Sequence, residues 1–260
     1  MIAAIVQARM GSTRLPGKTL ADIAGKPMLA RLVERARRIP GVERVIVATT
    51  AKPANRVILR FAADQGLPTY AGSEKSEEDV LDRVYQAARR FRVSVIVRVS
   101  PDCPLLDPAI SGLVLSRFLE ARGKLDYVSN TQPPTFPDGL DTEVFSFKAL
   151  ERAWRAATKP SDREHVTPYI WRHRKLFRRV NVRHEPNLSH LRWTVDERED
   201  LEFVCAVYGH LSGSETFGMA EVLELLRRHP EIEAINRGPA RNEGYAKSVR
   251  ADRVLTERRR

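Results

Sequence analysis

The chain has 260 residues, 42% of them hydrophobic and 30% charged, which is enough to bury a full core and ordinary for a globular protein. No apolar run approaches the ~20 residues of a membrane span, so a soluble protein without membrane contact is expected. A formal charge of +11 suits an anionic substrate, a nucleic acid or a membrane surface, while Cys103 and Cys205, far apart and outside any Cys/His grouping, suggest neither a disulfide framework nor a zinc site and fit a reducing cytoplasm.

In chain order, Ile2 to Gln7 is short, apolar and without a basic leader or a small-residue cleavage site, so it reads as a first strand and not as a signal peptide. Further strands are expected at Arg44 to Thr49, Pro68 to Tyr70 and Val93 to Val99. Helical spacing of apolar residues marks Pro27 to Arg38, Pro53 to Gln65 and Ser76 to Phe91 between them. Such alternation is the signature of parallel strands joined by crossover helices. Asp107-Pro108 opens another helix, with the aspartate placed to cap it.

After Tyr127 the rhythm breaks at TQPPTFPDG, whose three prolines and glycine end any regular element. A strand at Asp141 to Phe147, a helix at Lys148 to Ala157 and a second helix at Asp162 to His173, capped by Asp162, follow. Phe177 to Arg183 and Leu191 to Val195 read as extended, and Glu199 to Leu211 as helical. One main domain over 1–236 is expected, with an arm at about 131–147. The basic tail at 237–260 holds roughly half the excess charge, reads as frayed and solvated, and lacks the interleaved aromatics of a nucleic-acid platform, which makes a nucleic-acid partner unexpected.

The loop QARMGSTRLPGK, Gln7 to Lys18, leaves the carboxyl end of the first strand, where open α/β sheets bind ligands. It sets Arg9, Arg14 and Lys18 around Gly11, Ser12 and Gly17. Glycines let backbone N–H groups approach phosphate oxygens, and the cations neutralise charge on a departing pyrophosphate. A Walker loop is excluded, because five residues and not four separate Gly11 from Gly17-Lys18-Thr19; no GxGxxG follows the strand either. At the end of Val93 to Val99, Ser100, Pro101 and Asp102 reach the same sheet edge, which makes Asp102 a candidate Mg²⁺ ligand.

The runs IVQARMGSTRLPGKTL…GKPML, VRVSPDCPLLDP, FPDGLDTEVFS, REHVTPY and HLRWTVDEREDL, in this order, resemble the cytidylyltransferases that activate acidic sugars, including the 3-deoxy-manno-octulosonate and acylneuraminate enzymes and above all the SpsF-type spore-coat polysaccharide branch. The resemblance covers nearly the whole chain. It implies a Rossmann-like three-layer αβα fold of the nucleotide-diphospho-sugar transferase type with a mostly parallel sheet. It further implies transfer of CMP from CTP to an acidic sugar, Mg²⁺ as cofactor, and a homodimer formed through the arm. By match of motif, Ala8, Arg9, Gly11, Ser12, Arg14 and Lys18 would hold the nucleotide beside Ser100, Asp196 would be the second metal ligand after Asp102, and Asp138, Asp141, Glu164 and His165 would lie over the sugar.

Two further expectations follow. Phe136, Phe145 and Phe147 look exposed and would be covered by a second subunit. Asp102 and Asp196, as bare carboxylates, would repel, so replacing either would leave stability equal or higher. The rival reading is a GT-A-like glycosyltransferase using a nucleotide-sugar donor; it needs a DxD, and Asp102-Cys103-Pro104 is not one.

Overall fold

A computed structural model describes the chain except residues 75, 76, 212–215, 238–240, 242 and 258–260 and the side chains of 253–257. The first half alternates as the periodicity predicts. β1 (Ile2–Gln7) is followed by a loop and the small β2 (Asp22–Ile23) and β3 (Lys26–Pro27) hairpin, which leads into α1 (Met28–Arg37). Next come β4 (Arg44–Thr50), α2 (Arg56–Asp64), β5 (Thr69–Gly72), α3 (Val80–Arg90), β6 (Val95–Val99) and α4 (Pro108–Glu120). The second half contains β7 (Tyr127–Ser129), β8 (Glu143–Ser146), α5 (Phe147–Ala156), α6 (Pro160–His165), α7 (Pro168–Arg172), β9 (Arg179–Asn181), α8 (Arg198–Leu211), α9 (Met219–Arg228), α10 (Pro230–Glu233) and α11 (Glu243–Glu257).

Seven strands form one sheet in the order β5-β4-β1-β6-β8-β7-β9, and β8 alone runs antiparallel to its neighbours. The central strands are apolar on both faces because both are covered. Ala3, Ile5, Ile46, Ala48 and Ile96 pack with α3 and α5, while Ala4, Val6, Val45, Val47 and Val97 pack with α1, α2 and α4. A third cluster joins α8 and α9 to Phe136, Leu140 and Trp193. Asp107 caps α4 as expected, accepting from the Ala109 and Ile110 amides at 2.8 and 3.2 Å, and its other oxygen accepts from Met219 N at 2.8 Å, which ties α9 to α4.

Several elements differ from expectation. The segment 131–147 does not stand off from the chain. Asn130 clasps its two ends through Leu140 O and Thr142 N, both at 2.8 Å, and Phe136 and Phe145 are buried in the chain's own core, with Phe147 packed against it. Phe136 and Phe145 therefore offer no surface for a partner, and Phe147 is half-buried. Gly139 permits this return: at φ 117° a side chain is strained, and a Cβ there would lie 2.6 Å from the Trp193 carbonyl carbon.

The helix expected over Asp162 to His173 is broken at Val166, whose φ of 72° and nearby Pro168 separate α6 from α7. Asp162 is buried in the first turn of α6 and pairs with Arg172 instead of capping. Leu191–Val195 is extended but joins no sheet, touching Asp138 by a single bridge at Arg192. Residues 243–257 of the expected tail form α11, which packs on α6; Arg258, Arg259 and Arg260 lie outside the described residues. The first residue expected of the third helix, Ser76, also lies outside them, and that helix starts at Val80 behind an Asp79 cap.

Candidate active site

The loop after β1 is held from behind. Ala8 N continues the parallel pairing to Ala48 O at 2.9 Å, Met10 N donates to the buried Asn55 side chain at 2.8 Å, and Thr19 donates to Arg9 O at 2.7 Å. Ser12 Oγ accepts from Leu15 N at 3.3 Å, and Gly17, at φ 76°, makes the turn that delivers Lys18. Gly11 is exposed and lies against Glu77, which pairs with Lys52.

Lys18 is the meeting point. Its ammonium donates to Asp196 Oδ1 and Val195 O, each at 2.8 Å, and to Asp102 Oδ2 at 3.5 Å. Burial pulls the Lys18 pKa down, but Asp102 and Asp196 outweigh it and hold the pKa above the usual lysine value. Asp196 is drawn the other way: burial raises its carboxyl, and Lys18, Arg14 and Arg192 together bring it below the ordinary aspartate value.

Asp102 and Asp196 are brought together, though not as the ends of two sheet strands. The 191–195 segment crosses the β6 loop, where Val195 N and Thr194 Oγ1 donate to Asp102 O at 2.8 and 3.1 Å. Nor are the two carboxylates bare. Lys18 lies between them, Arg14 reaches Asp196 at 3.1 Å and Glu197 at 3.0 Å, and Arg192 reaches Asp196 at 3.2 Å. The repulsion expected of them is thus already neutralised. Asp196 is no helix cap; Asp200 receives the amides of Asp196 and Glu197 at 2.9 Å.

Asp138 and Asp141 adjoin this cluster through arginines. Arg192 makes a two-pronged pair with Asp200, both bonds 2.8 Å, and approaches Asp138 at 3.7 Å; Arg241 pairs with Asp141 and approaches Asp138 at 3.8 Å. Burial, then the Asp141 charge, raises Asp138 to about 7, and burial raises Asp141 as well. Ser100 borders Asp102 at the start of the same turn, its carbonyl accepting from Cys103 N at 3.3 Å.

Glu164 and His165 make no contact with the Lys18 cluster. Both face α11, where Ser248 donates to Glu164 at 2.6 Å and lies 3.1 Å from His165 Nε2. Burial depresses the His165 pKa, which leaves the ring neutral at pH 7. Arg192, Asp200 and Arg241 were not singled out from sequence, nor was Asn236, whose side-chain amide donates to Arg192 O at 2.9 Å and to Asp200 at 3.1 Å. A signal existed for Arg192, a lone cation inside the apolar run LRWTV with Asp196 and Asp200 four and eight residues on.

A loop leaving the carboxyl edge of a mostly parallel sheet, with a lysine facing two aspartates from other elements, lies where α/β folds of this class bind their ligands. Comparison narrows the class. The family model described as cytidylyltransferase matches residues 3–215, and the chain belongs to that family. It is 31% identical over 235 residues to the spore coat polysaccharide biosynthesis protein SpsF of Bacillus subtilis (strain 168), covering 87% of this chain and 94% of that one. It is 35% identical over 184 residues to the 3-deoxy-manno-octulosonate cytidylyltransferase of Anaeromyxobacter dehalogenans (strain 2CP-C), covering 65% and 73%. The solved cytidylyltransferase of Leptospira borgpetersenii serovar Hardjo-bovis (strain JB197) superposes with a TM-score of 0.85 at 30% identity, over 92% of this chain and 98% of that one.

Proposed function

We propose that the protein transfers CMP from CTP to an acidic sugar, forming a CMP-sugar for surface polysaccharide synthesis and releasing pyrophosphate. The observation that carries this reading is the convergence of Lys18 with Asp102 and Asp196 beside the exposed Gly11 loop, in a chain of the cytidylyltransferase family.

The acceptor hydroxyl oxygen forms a new bond to the α-phosphorus as the bond to the pyrophosphate oxygen breaks. Such a transfer asks the protein for position and charge more than for covalent chemistry. Arg14 and Lys18 would exchange their present carboxylate partners for phosphate oxygens, and Arg9, whose guanidinium makes no hydrogen bond or ion pair among the described residues, is available from the outset. The backbone around Ala8, Gly11 and Ser12 would line the base and ribose.

Asp102 and Asp196 fit Mg²⁺ by the chemistry of their donor set. Both carboxylates meet at one ammonium, and Mg²⁺ characteristically takes one or two protein carboxylates with phosphates and water completing its shell. When bound, the ion would neutralise charge on the triphosphate. A paired subunit belongs to this proposal through family resemblance alone, and light scattering that shows only monomer at micromolar concentration would remove it.

The deciding experiment incubates the protein with Mg²⁺, each of the four nucleoside triphosphates and a panel of acidic sugars. Pyrophosphate should appear with CTP and only when an acceptor is present. Release with another nucleotide, or none with CTP and any acidic sugar, overturns the reading.

A further inference from the structure

We infer that Arg241 and the first half of α11 form a strap over the acceptor side of the site, latched in the nucleotide-free protein to residues that both substrates need, and that CTP loosens it by drawing Arg14 away from Glu243. The inference rests on the reading of the Gly11 loop as a CTP site.

The strap lies beyond residues 3–215, the extent of the family match. Its sequence reads as a charged helix, but Tyr245, Ser248 and Asp252 recur at intervals of three and four residues and so share one face. That face is turned to α6 and α7. Asp252, only 7% exposed, accepts from Ser161 N at 3.1 Å and from the Ser161 hydroxyl in the first turn of α6, which anchors the helix. One turn earlier, Ser248 donates to Glu164 at 2.6 Å. With its one proton directed there, Ser248 Oγ accepts from His165 Nε2 at 3.1 Å. The Tyr245 ring stands edge-on to His165 and to Trp171, with centroids 5.3 and 5.7 Å away. One Glu164 oxygen and the His165 Nε2, by resemblance groups of the acceptor pocket, are therefore turned to the chain's own helix.

Ahead of the helix the same stretch reaches the rest of the site. Arg241 donates to Phe136 O at 3.1 Å, pairs with Asp141 and stands 3.8 Å from Asp138. Glu243, the first residue of α11, comes within 3.5 Å of Arg14. A single stretch of chain thus touches Arg14 of the nucleotide loop and Asp141, Glu164 and His165 of the expected sugar pocket.

The two ends of the strap are not equally firm. The Asp252 anchor is buried and hydrogen-bonded, whereas the Arg14 and Glu243 side chains are 38% and 52% exposed, and an ion pair so open to solvent contributes little. Arg14 also has Asp196 and Glu197 at 3.1 and 3.0 Å, so Glu243 is the most distant of its three carboxylates. A triphosphate on Arg14 replaces that attraction with repulsion between phosphate and Glu243. Nucleotide therefore shifts the strap toward a state in which the anchor holds and the near end is open. Release of Asp141 and Glu164 then falls to the acceptor, whose hydroxyls take the places of Arg241 and Ser248. An order of binding follows, CTP first and acceptor second.

Hydrogen exchange followed by mass spectrometry on the full chain tests this, with CTP binding measured in parallel by calorimetry. In the wild type, CTP with Mg²⁺ and no acceptor should raise the exchange rate of the α11 amides from Lys247 to Arg250 about threefold or more. Glu243→Gln, at an exposed position that the fold does not depend on, should show the raised rate without nucleotide, and CTP should add nothing further. Ser248→Ala should also start higher but still respond to CTP, because its latch belongs to the acceptor. Unchanged or slower exchange in a wild type that binds CTP overturns the strap and leaves the proposed function standing. So does a Glu243→Gln variant that responds to CTP as the wild type does. Absence of CTP binding sinks the strap together with the nucleotide reading.

Discussion

Asp102 and Asp196 face the same ammonium, yet they are embedded differently. Asp196 is held by Lys18, Arg14 and Arg192, whereas Asp102 touches Lys18 only at 3.5 Å. Asp196→Asn should therefore destabilise the metal-free protein by about 1–3 kcal/mol, since it leaves partly buried cations short of a counter-charge, and Asp102→Asn by less than about 1 kcal/mol. Urea titrations at pH 7 of both variants measure the difference. Equal stabilities would mean that the ion pairs around Asp196 contribute nothing net. At this scale sequence carried Lys18 and Asp102, because loop residues at a strand's carboxyl end can be placed without coordinates, while Asp196, which follows no sheet strand, came from the family motif. Neither carried the pairing: that Arg14 and Lys18 already hold Asp196 depends on the path of 191–195 across the β6 loop, which no local pattern encodes.

β1 was legible to the residue, and the start of α4 as well, because both-face burial and an Asp-Pro cap are local signals. The elements that differed are set by tertiary contacts. Val166 breaks the expected helix where the chain must turn between α6 and α7, and Leu191–Val195 stays out of the sheet because its partners are the Asp138 and Asp102 backbones. α11 reads as a solvated charged tail until its inward groups are seen to bond Ser248 to Glu164 and Asp252 to Ser161. One cap has a measurable consequence for two helices. Because Asp107 serves the amides of α4 and of α9 together, Asp107→Ala should cost about 2 kcal/mol, more than the ~1 kcal/mol typical of a single cap. Thermal melts would register this, with pyrophosphate release at 25 °C unchanged.

Across the whole molecule, opposed carboxylates make stability two-sided in pH. Asp138 has its folded pKa raised from 3.8 to about 7 by burial and by Asp141, so the folded state holds a proton that the unfolded chain releases near pH 4. Stability from this group is complete below pH 4 and is lost as pH rises toward 7. Asp196 and Asp200 are depressed instead, and their contribution is lost as pH falls below the ordinary aspartate range. A metal-free stability maximum at mildly acidic pH is the expected outcome of denaturant titrations from pH 3 to 9, and Asp138→Asn should flatten the limb between pH 4 and 7. A flat wild-type limb there would show that Asp138 ionises normally. The lysine between Asp102 and Asp196 has a last consequence, which is one of competition. It is a cation tethered at high local concentration, so a free divalent ion must outcompete it and should bind the bare protein only weakly, whereas nucleotide phosphates give the displaced ammonium somewhere to go. Mg²⁺ and CTP should therefore strengthen one another's binding reciprocally. Lys18→Met, which loses the one of these cations that faces both carboxylates and leaves only Arg14 and Arg192 on Asp196, should bind Mg²⁺ more tightly in the absence of nucleotide than the wild type does, and a calorimetric titration that finds it weaker would exclude the lysine as competitor.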